Sequence, residues 1–149
     1  DVASSTKARR EAIQSKLEER KKQNVIKHTE HIERRLMAAI ERFENLSDRM
    51  ASRIEKLEEK GVDMTNAKAL LAAADAKIAE AEVKVEAIGT ALEQALQSAN
   101  PKEAFITLVR PAVTAGEEAV KAAHKALVEA MRAIKAADPE SSASTTPQS

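Results

Sequence analysis

The chain has 149 residues, of which 32% are charged and 1% are aromatic, and it contains no cysteine. Its 24 basic and 24 acidic side chains balance to a formal net charge of zero, which argues against a whole-surface nucleic-acid binder. This composition predicts one domain of thin helical packing and excludes disulfides and thiol chemistry.

The first long segment has no glycine or proline from Lys7 to Lys60, which allows a single helix. Residues 1–24 are crowded with charge and short of apolar side chains. Within residues 1–28, eight Lys and Arg side chains stand against four Asp and Glu, a net charge of +4. We therefore expect residues 1–24 to form a basic helical arm that overhangs the packed part of the molecule.

From residue 25 the first helix gains one apolar face, so it is predicted to pack over residues 25–60. The face is formed at helical spacing by Val25, Ile32, Leu36, Ile40, Phe43, Leu46, Met50, Ile54 and Leu57. Gly61 suits the left-handed position after the helix end, where Val62 would contact Leu57 in a Schellman ending. Asp63 is expected to cap the next helix, and so short a connection favours an antiparallel hairpin.

The second helix is predicted over residues 64–98 and carries the most regular pattern of the chain. Its apolar residues alternate steps of four and three and form a heptad seam. The seam consists of Ala67, Leu71, Ala74, Ile78, Ala81, Val85, Ile88, Leu92, Ala95 and Ala99. Because many of these residues are alanine, we expect a partner helix to approach closely along the seam.

The third helix is predicted over residues 101–137 and begins with a clear start signal. Asn100 suits the N-cap, Pro101 the first helical position and Glu103 the third position of a capping box. Pro111 lies within the helix, lacks a backbone donor and crowds the carbonyl of Thr107, so we expect a kink there. From residue 138 onwards no apolar period remains, and residues 138–149 are predicted to be a disordered tail.

Together these elements predict an all-α fold. We expect an antiparallel, coiled-coil-like three-helix bundle over residues 25–137, with the long first helix overhanging as the basic arm and a disordered Ser/Thr-rich C-terminal tail. The longest apolar run, Ala69–Ala74, is far shorter than the ~20 residues that span a bilayer, so no transmembrane span is predicted.

The best metal candidate is the pair His28 and His31, which share one helix face at a spacing of three residues. Zinc sites need three or four ligands, so the favoured alternative is two solvated histidines and no metal or other cofactor. The chain also lacks a Gly-rich phosphate loop, a Gly-x-Ser-x-Gly turn and a His-Glu-x-x-His motif. We therefore expect no enzymatic activity.

The basic arm is the sharper functional lead. Its candidate anion-binding residues are Lys7, Arg9, Arg10, Lys16, Arg20, Lys21, Lys22 and Lys27. Such a cluster suits lipid headgroups, a cell-wall polymer or another polyanion. The alternative is an ordinary solvated helix face, because acidic side chains dilute the cluster and no aromatic accompanies it.

A second stripe of small residues runs along the second helix, opposite the seam. It consists of Ala69, Ala72, Ala76, Ala79, Val83, Ala87 and Ala91. One interpretation is a shallow assembly face for a second copy. The other is a set of surface alanines that favour the helix by their intrinsic propensity.

The segments Ile32–Arg35, Arg53–Asp63 and Ala67–Leu71 resemble uncharacterised exported helical proteins of bacteria, most specifically in the Lys-Gly-Val-Asp turn. The resemblance implies a helical hairpin and an exported location, periplasmic, secreted or at the cell surface. It carries over no functional residue. The non-methionine start at Asp1 and the Ser/Thr-rich end favour the same location, with a cytoplasmic one left open.

The first functional hypothesis is a non-enzymatic helical-bundle protein that acts as a structural or protein-interaction module. The alternative is an anionic-surface binder that works through the basic arm. We expect no specific nucleic acid, and we leave open a protein partner, self-association and contact with a membrane surface.

Overall fold

The computed structural model describes residues 2–140, and this part of the chain is helical apart from short connections. The elements are α1 (Val2–Glu59), α2 (Thr65–Gln97), α3 (Pro101–Ala104), a π-helical segment (Phe105–Val109) and α4 (Arg110–Ala137). The last three follow one another directly and form the third leg of a bundle. The predicted all-α, three-helix architecture with a long first helix is therefore confirmed. Residues 141–149 of the predicted tail lie outside the described residues.

The helices α1 and α2 run antiparallel. Lys68 donates to Glu58 at 3.1 Å near the turn, and the buried hydroxyl of Ser47 donates to Asp75 further along the pair. Residue numbers thus fall along α1 as they rise along α2, as expected for a hairpin with a short connection.

The third leg returns in the direction of α1. The rings of Phe43 and His124 lie 5.7 Å apart, and the guanidinium of Arg53 donates to Asp138 at 2.5 Å. Asp138 is only 8% exposed. We predicted this residue to begin the disordered tail, but it is instead tied to α1, because a buried carboxylate needs a charged partner.

The turn between α1 and α2 is the expected Schellman ending. Gly61 has a φ of +84°, and its N–H donates to the carbonyl of Glu58 at 2.9 Å. The N–H of Val62 donates to the carbonyl of Leu57 at 3.0 Å. These two bonds satisfy carbonyls that the last turn of a helix leaves free.

Asp63 accepts two hydrogen bonds from Thr65, the first residue of α2. Its carboxylate accepts from the backbone N–H of Thr65 at 3.0 Å and from the Thr65 hydroxyl at 2.6 Å. These hydrogen bonds stabilise the ionised form and hold the pKa of Asp63 below its usual value. The helix accordingly begins at Thr65, one residue later than predicted.

The seam of α2 forms the centre of the core. Its members from Ala67 to Ala95 are buried, and Ala74 and Ala81 have no exposed surface. Ala99 is the exception, because α2 ends at Gln97 and Ala99 lies exposed in the connection to the third leg. The helix α2 contacts both α1 and α4, which also contact each other, so its seam lies inside a bundle of three mutually packed helices.

The third leg starts with the predicted cap. A π-helical segment, Phe105–Val109, precedes Pro111. Asn100 accepts from the N–H of Glu103 at 3.4 Å and donates to its carboxylate at 3.2 Å. Ahead of Pro111, the N–H of Arg110 donates to the carbonyl of Phe105, five residues back. The wider turn relieves the crowding that the proline ring causes, and the helix continues instead of breaking.

Candidate functional site

The candidate site is the N-terminal part of α1, which extends beyond the buried part of the bundle. Every residue from Val2 to Val25 is exposed, and burial begins with the half-buried Ile26. This arm spans about 36 Å at 1.5 Å per residue. The sequence analysis predicted an arm of residues 1–24.

A small second cluster fixes the point at which the arm leaves the bundle. Leu92 and Ala95 of α2 pack there against Ala104 and Val109 of the third leg, and Ile26 of α1 covers them. One turn further on, the hydroxyl of Thr29 donates to the carbonyl of Val25 at 2.9 Å, and Thr29 is only 2% exposed. The arm is therefore a direct extension of a helix that is firmly held from Ile26 onwards.

The predicted anion-binding residues are all exposed, with Lys27 just beyond the arm and the others on it: Lys7, Arg9, Arg10, Lys16, Arg20, Lys21, Lys22 and Lys27. Two large apolar side chains accompany them, with Ile13 59% and Leu17 46% exposed. Lys16, Arg20 and Lys27 line one shallow depression of the arm. A cationic face with two apolar side chains suits an anionic partner that also covers some apolar surface.

A groove lies where α1 has entered the bundle. It has a volume of about 520 Å³, is open to solvent and runs between α1 and α2. Its lining includes the half-buried Met37 and one cation, Arg34, together with the acidic residues Glu30, Glu33, Glu41, Glu44 and Glu82. The sequence analysis did not predict this groove; the signal that could have found it is the recurrence of acidic residues on the face of α1 that continues the basic arm.

Glu33 has the most perturbed environment in the groove. Burial raises the pKa of its carboxyl above the usual value, and the nearby carboxylates of Glu30 and Glu93 raise it further. A Cβ at residue 89 would lie 3.2 Å from each of its carboxylate oxygens. The glycine in the middle of α2 thus leaves room for Glu33.

The two histidines of the metal hypothesis, His28 and His31, are exposed on α1. No group of three or more His, Cys, Asp or Glu side chains that could hold a metal ion occurs within residues 2–140. The pair gains no third ligand from the fold and cannot complete a zinc site by itself.

The proposed assembly face of α2 is exposed over most of its length. Ala69, Ala72, Ala76, Ala79, Val83 and Ala87 face solvent, and Val83 is 64% exposed. Ala91 does not belong to this face, because it is only 8% exposed and packs in the second cluster. The exposed part therefore ends before the base of the arm.

Comparisons with protein families, curated proteins and solved structures find no match to this chain. Within residues 2–140, no helix is both long and apolar enough to cross a membrane.

Proposed function

We propose that the protein is a non-enzymatic helical-bundle module that acts through contacts with other macromolecules, with the arm of α1 as its contact element. One observation carries the proposal: residues 2–25 extend the helix by more than six turns without contacting the core. Most of the stability of a helix in a protein comes from packing of its apolar face, so such an extension gains stability when a partner covers it.

The non-enzymatic part of the proposal is supported by the sequence, which lacks the motifs of nucleophilic, phosphate-transfer and zinc-dependent catalysis. The proposed exported location is supported by the resemblance of the hairpin sequence to exported bacterial proteins. Fractionation of cells that express the protein from its natural gene tests it, and recovery in the cytoplasm alone would contradict it.

A chain that lacks residues 1–24 tests the contact role of the arm. Because the core begins at Ile26, we expect this variant to keep the melting temperature of the full chain within a few degrees. We expect it to lose the contacts made by the full chain, measured by cross-linking and by co-sedimentation. A variant that unfolds, or that retains every contact, would contradict the proposal.

A second candidate is an anionic-surface binder, favoured by the distribution of charge around the arm. Arg9, Lys16, Arg20 and Lys27 recur at helical spacing on one side of the helix. Glu11 and Glu18 fall on the other side, while Glu19 lies beside the stripe and accepts from Gln23 at 3.3 Å. One side of the arm therefore presents mainly positive charge.

Co-sedimentation with vesicles that contain anionic lipid, at low and at high salt, tests this second candidate. Binding should weaken steeply with salt, because exposed charges are screened. It should be lost when Arg9 and Arg20 are both changed to Glu. The matched control is Lys7→Glu with Lys22→Glu, which makes the same change in net charge on the other side of the helix. Equal losses in both variants would show that only net charge matters.

A further inference from the structure

One stripe of α1 stays uncovered from the arm into the bundle. Its members alternate steps of four and three, the spacing with which one helix packs lengthwise on another. They are Arg9, Ile13, Lys16, Arg20, Gln23, Lys27, Glu30, Arg34, Met37, Glu41 and Glu44. Met37 is half-buried and all the others are exposed. We call this set the α1 outer stripe.

The α1 outer stripe changes sign along its length. Its arm half carries Arg9, Lys16, Arg20 and Lys27 and no acidic residue. Its bundle half carries Glu30, Glu41 and Glu44 with the single cation Arg34, and Glu33 and Glu82 stand beside it in the groove. The helix thus presents a positive half and a negative half on one face.

We propose that the α1 outer stripe is the contact between two copies of this chain, with their α1 helices antiparallel around a two-fold axis near residue 25. The inference rests on the proposed function, in which the arm is the contact element. It identifies the partner of the arm as a second copy of this chain. In the antiparallel arrangement each positive half meets the negative half of the other copy, and the two-fold axis repeats the contact. A parallel arrangement would place like charges together.

The spacing along the stripe defines a register. Arg9 and Arg20 are separated by the same number of residues as Glu30 and Glu41. When Arg20 lies opposite Glu30 of the second copy, Arg9 therefore lies opposite Glu41, and Ile13 lies opposite Met37. Lys16 then falls opposite Arg34, which is the one like-charged pairing of this register.

The groove between α1 and α2 has the shape to receive the arm of a second copy. It is open to solvent, has a volume of about 520 Å³ and includes the half-buried Met37 in its lining. The opposing Ile13, 59% exposed in the single chain, would cover Met37. The arm would then add a fourth helix beside the three-helix bundle, which is a common helical packing.

Other occupants explain less of the stripe. An anionic lipid surface or another polyanion would use only its arm half and would be repelled by Glu30, Glu41 and Glu44. Association through the alanine face of α2 would leave the arm uncovered. Only a second copy in antiparallel orientation uses both halves.

Sedimentation velocity of the full chain at low and high salt tests the proposal. We expect a dimer that dissociates as salt screens the opposed charges. The pair of changes R9E and R20E, and separately the pair E30K and E41K, should each weaken the dimer by about tenfold or more. Combining all four changes exchanges the charges of the two halves of the stripe and should restore the dimer. The control pair K7E and K22E lies off the stripe and should keep the dimer.

Disulfide formation tests the orientation, because the natural chain has no cysteine. In a variant with I13C and M37C, the two residues lie about 36 Å apart on one straight helix and cannot bond within one chain. Oxidation should give a disulfide-linked dimer. A variant with K7C and M37C should give little.

A chain that is monomeric at every concentration would overturn the proposal, as would a dimer that neither charge reversal weakens. A monomer that still binds anionic vesicles through Arg9 and Arg20 would overturn self-association and leave the contact role of the arm intact. A monomer whose arm contacts nothing in either assay would overturn both.

Discussion

The carboxylate of Glu33 lies over the backbone of α2 at Gly89, where an added Cβ would come within 3.2 Å of both carboxylate oxygens. This close approach explains why a glycine is accommodated in the middle of a long helix. Glu33 is thus one of the residues through which α1 contacts α2, and it lies in the lining of the groove.

We predict that Gly89→Ala stabilises the fold by up to about 1 kcal/mol, the difference in helix propensity between the two residues. The atoms that an added methyl would meet are the end of a flexible side chain, and Glu33 can turn towards solvent. Chemical unfolding measures the change. The control is Gly61→Ala, which should destabilise by about 1 kcal/mol or more, because φ at this position is +84°. A destabilised Gly89→Ala would mean that Glu33 is fixed in place.

We predict that Glu33→Gln is more stable than the natural chain at neutral pH. The pKa of Glu33 is raised in the folded state, so folding favours its protonated form. Its contribution to stability is therefore fully present below the unfolded value of 4.5 and is lost as the pH rises through the folded pKa. The advantage of the variant should shrink as the pH falls towards 4.5.

Unfolding curves of the two proteins between neutral and acidic pH measure this difference. Glu18→Gln on the exposed arm is the control, since that residue lies away from the core. A difference between Glu33→Gln and the natural chain that stays constant with pH would contradict the assignment.

We predict that Ala81→Leu lowers the free energy of unfolding by about 1–3 kcal/mol, because it overpacks the seam of α2. Ala81 has no exposed surface. The matched control, Ala79→Leu, lies on the exposed side of the same helix and should change stability by less than about 0.5 kcal/mol. Thermal melts of the two variants compare them directly, and an unchanged melt of Ala81→Leu would refute the close packing of the seam.

We predict that Ala76→Lys leaves the solution mass unchanged. Ala76 lies in the exposed alanine face of α2, and that face ends where Ala91 enters the second cluster. A lysine there would disrupt an interface of small residues but not a contact through α1. Light scattering measures the mass, and a fall in mass would move the assembly surface to α2.

Much of the fold could be predicted because its signals are local. The heptad spacing from Ala67 to Ala95 defines the middle helix by itself. The order Leu57, Gly61 and Val62 specifies the Schellman turn, since a glycine adopts the left-handed conformation without strain. The exposed arm followed from the lack of an apolar period before residue 25.

The remaining features depend on contacts between distant segments. Ala91 looked exposed from the period of α2 alone, but the start of the third leg folds over it. Asp138 looked like part of a tail, but Arg53 lies beside it in space. Pro111 indicated a disturbance of the third leg, but the sequence alone does not distinguish a kink from the π-helical segment that the structure shows. The spacing of apolar residues within one helix does not specify these contacts between helices.

The arm of α1 is proposed to be a contact element that lies outside the core. Amide hydrogen exchange of the dilute full chain measures this directly. We predict rapid exchange for residues 2–25 and strong protection for the buried stretch of α1 from Leu36 to Leu57, with the arm gaining protection at concentrations where the chain associates. Arm amides that are as protected as the core in the dilute chain, or that gain no protection on association, would contradict the account.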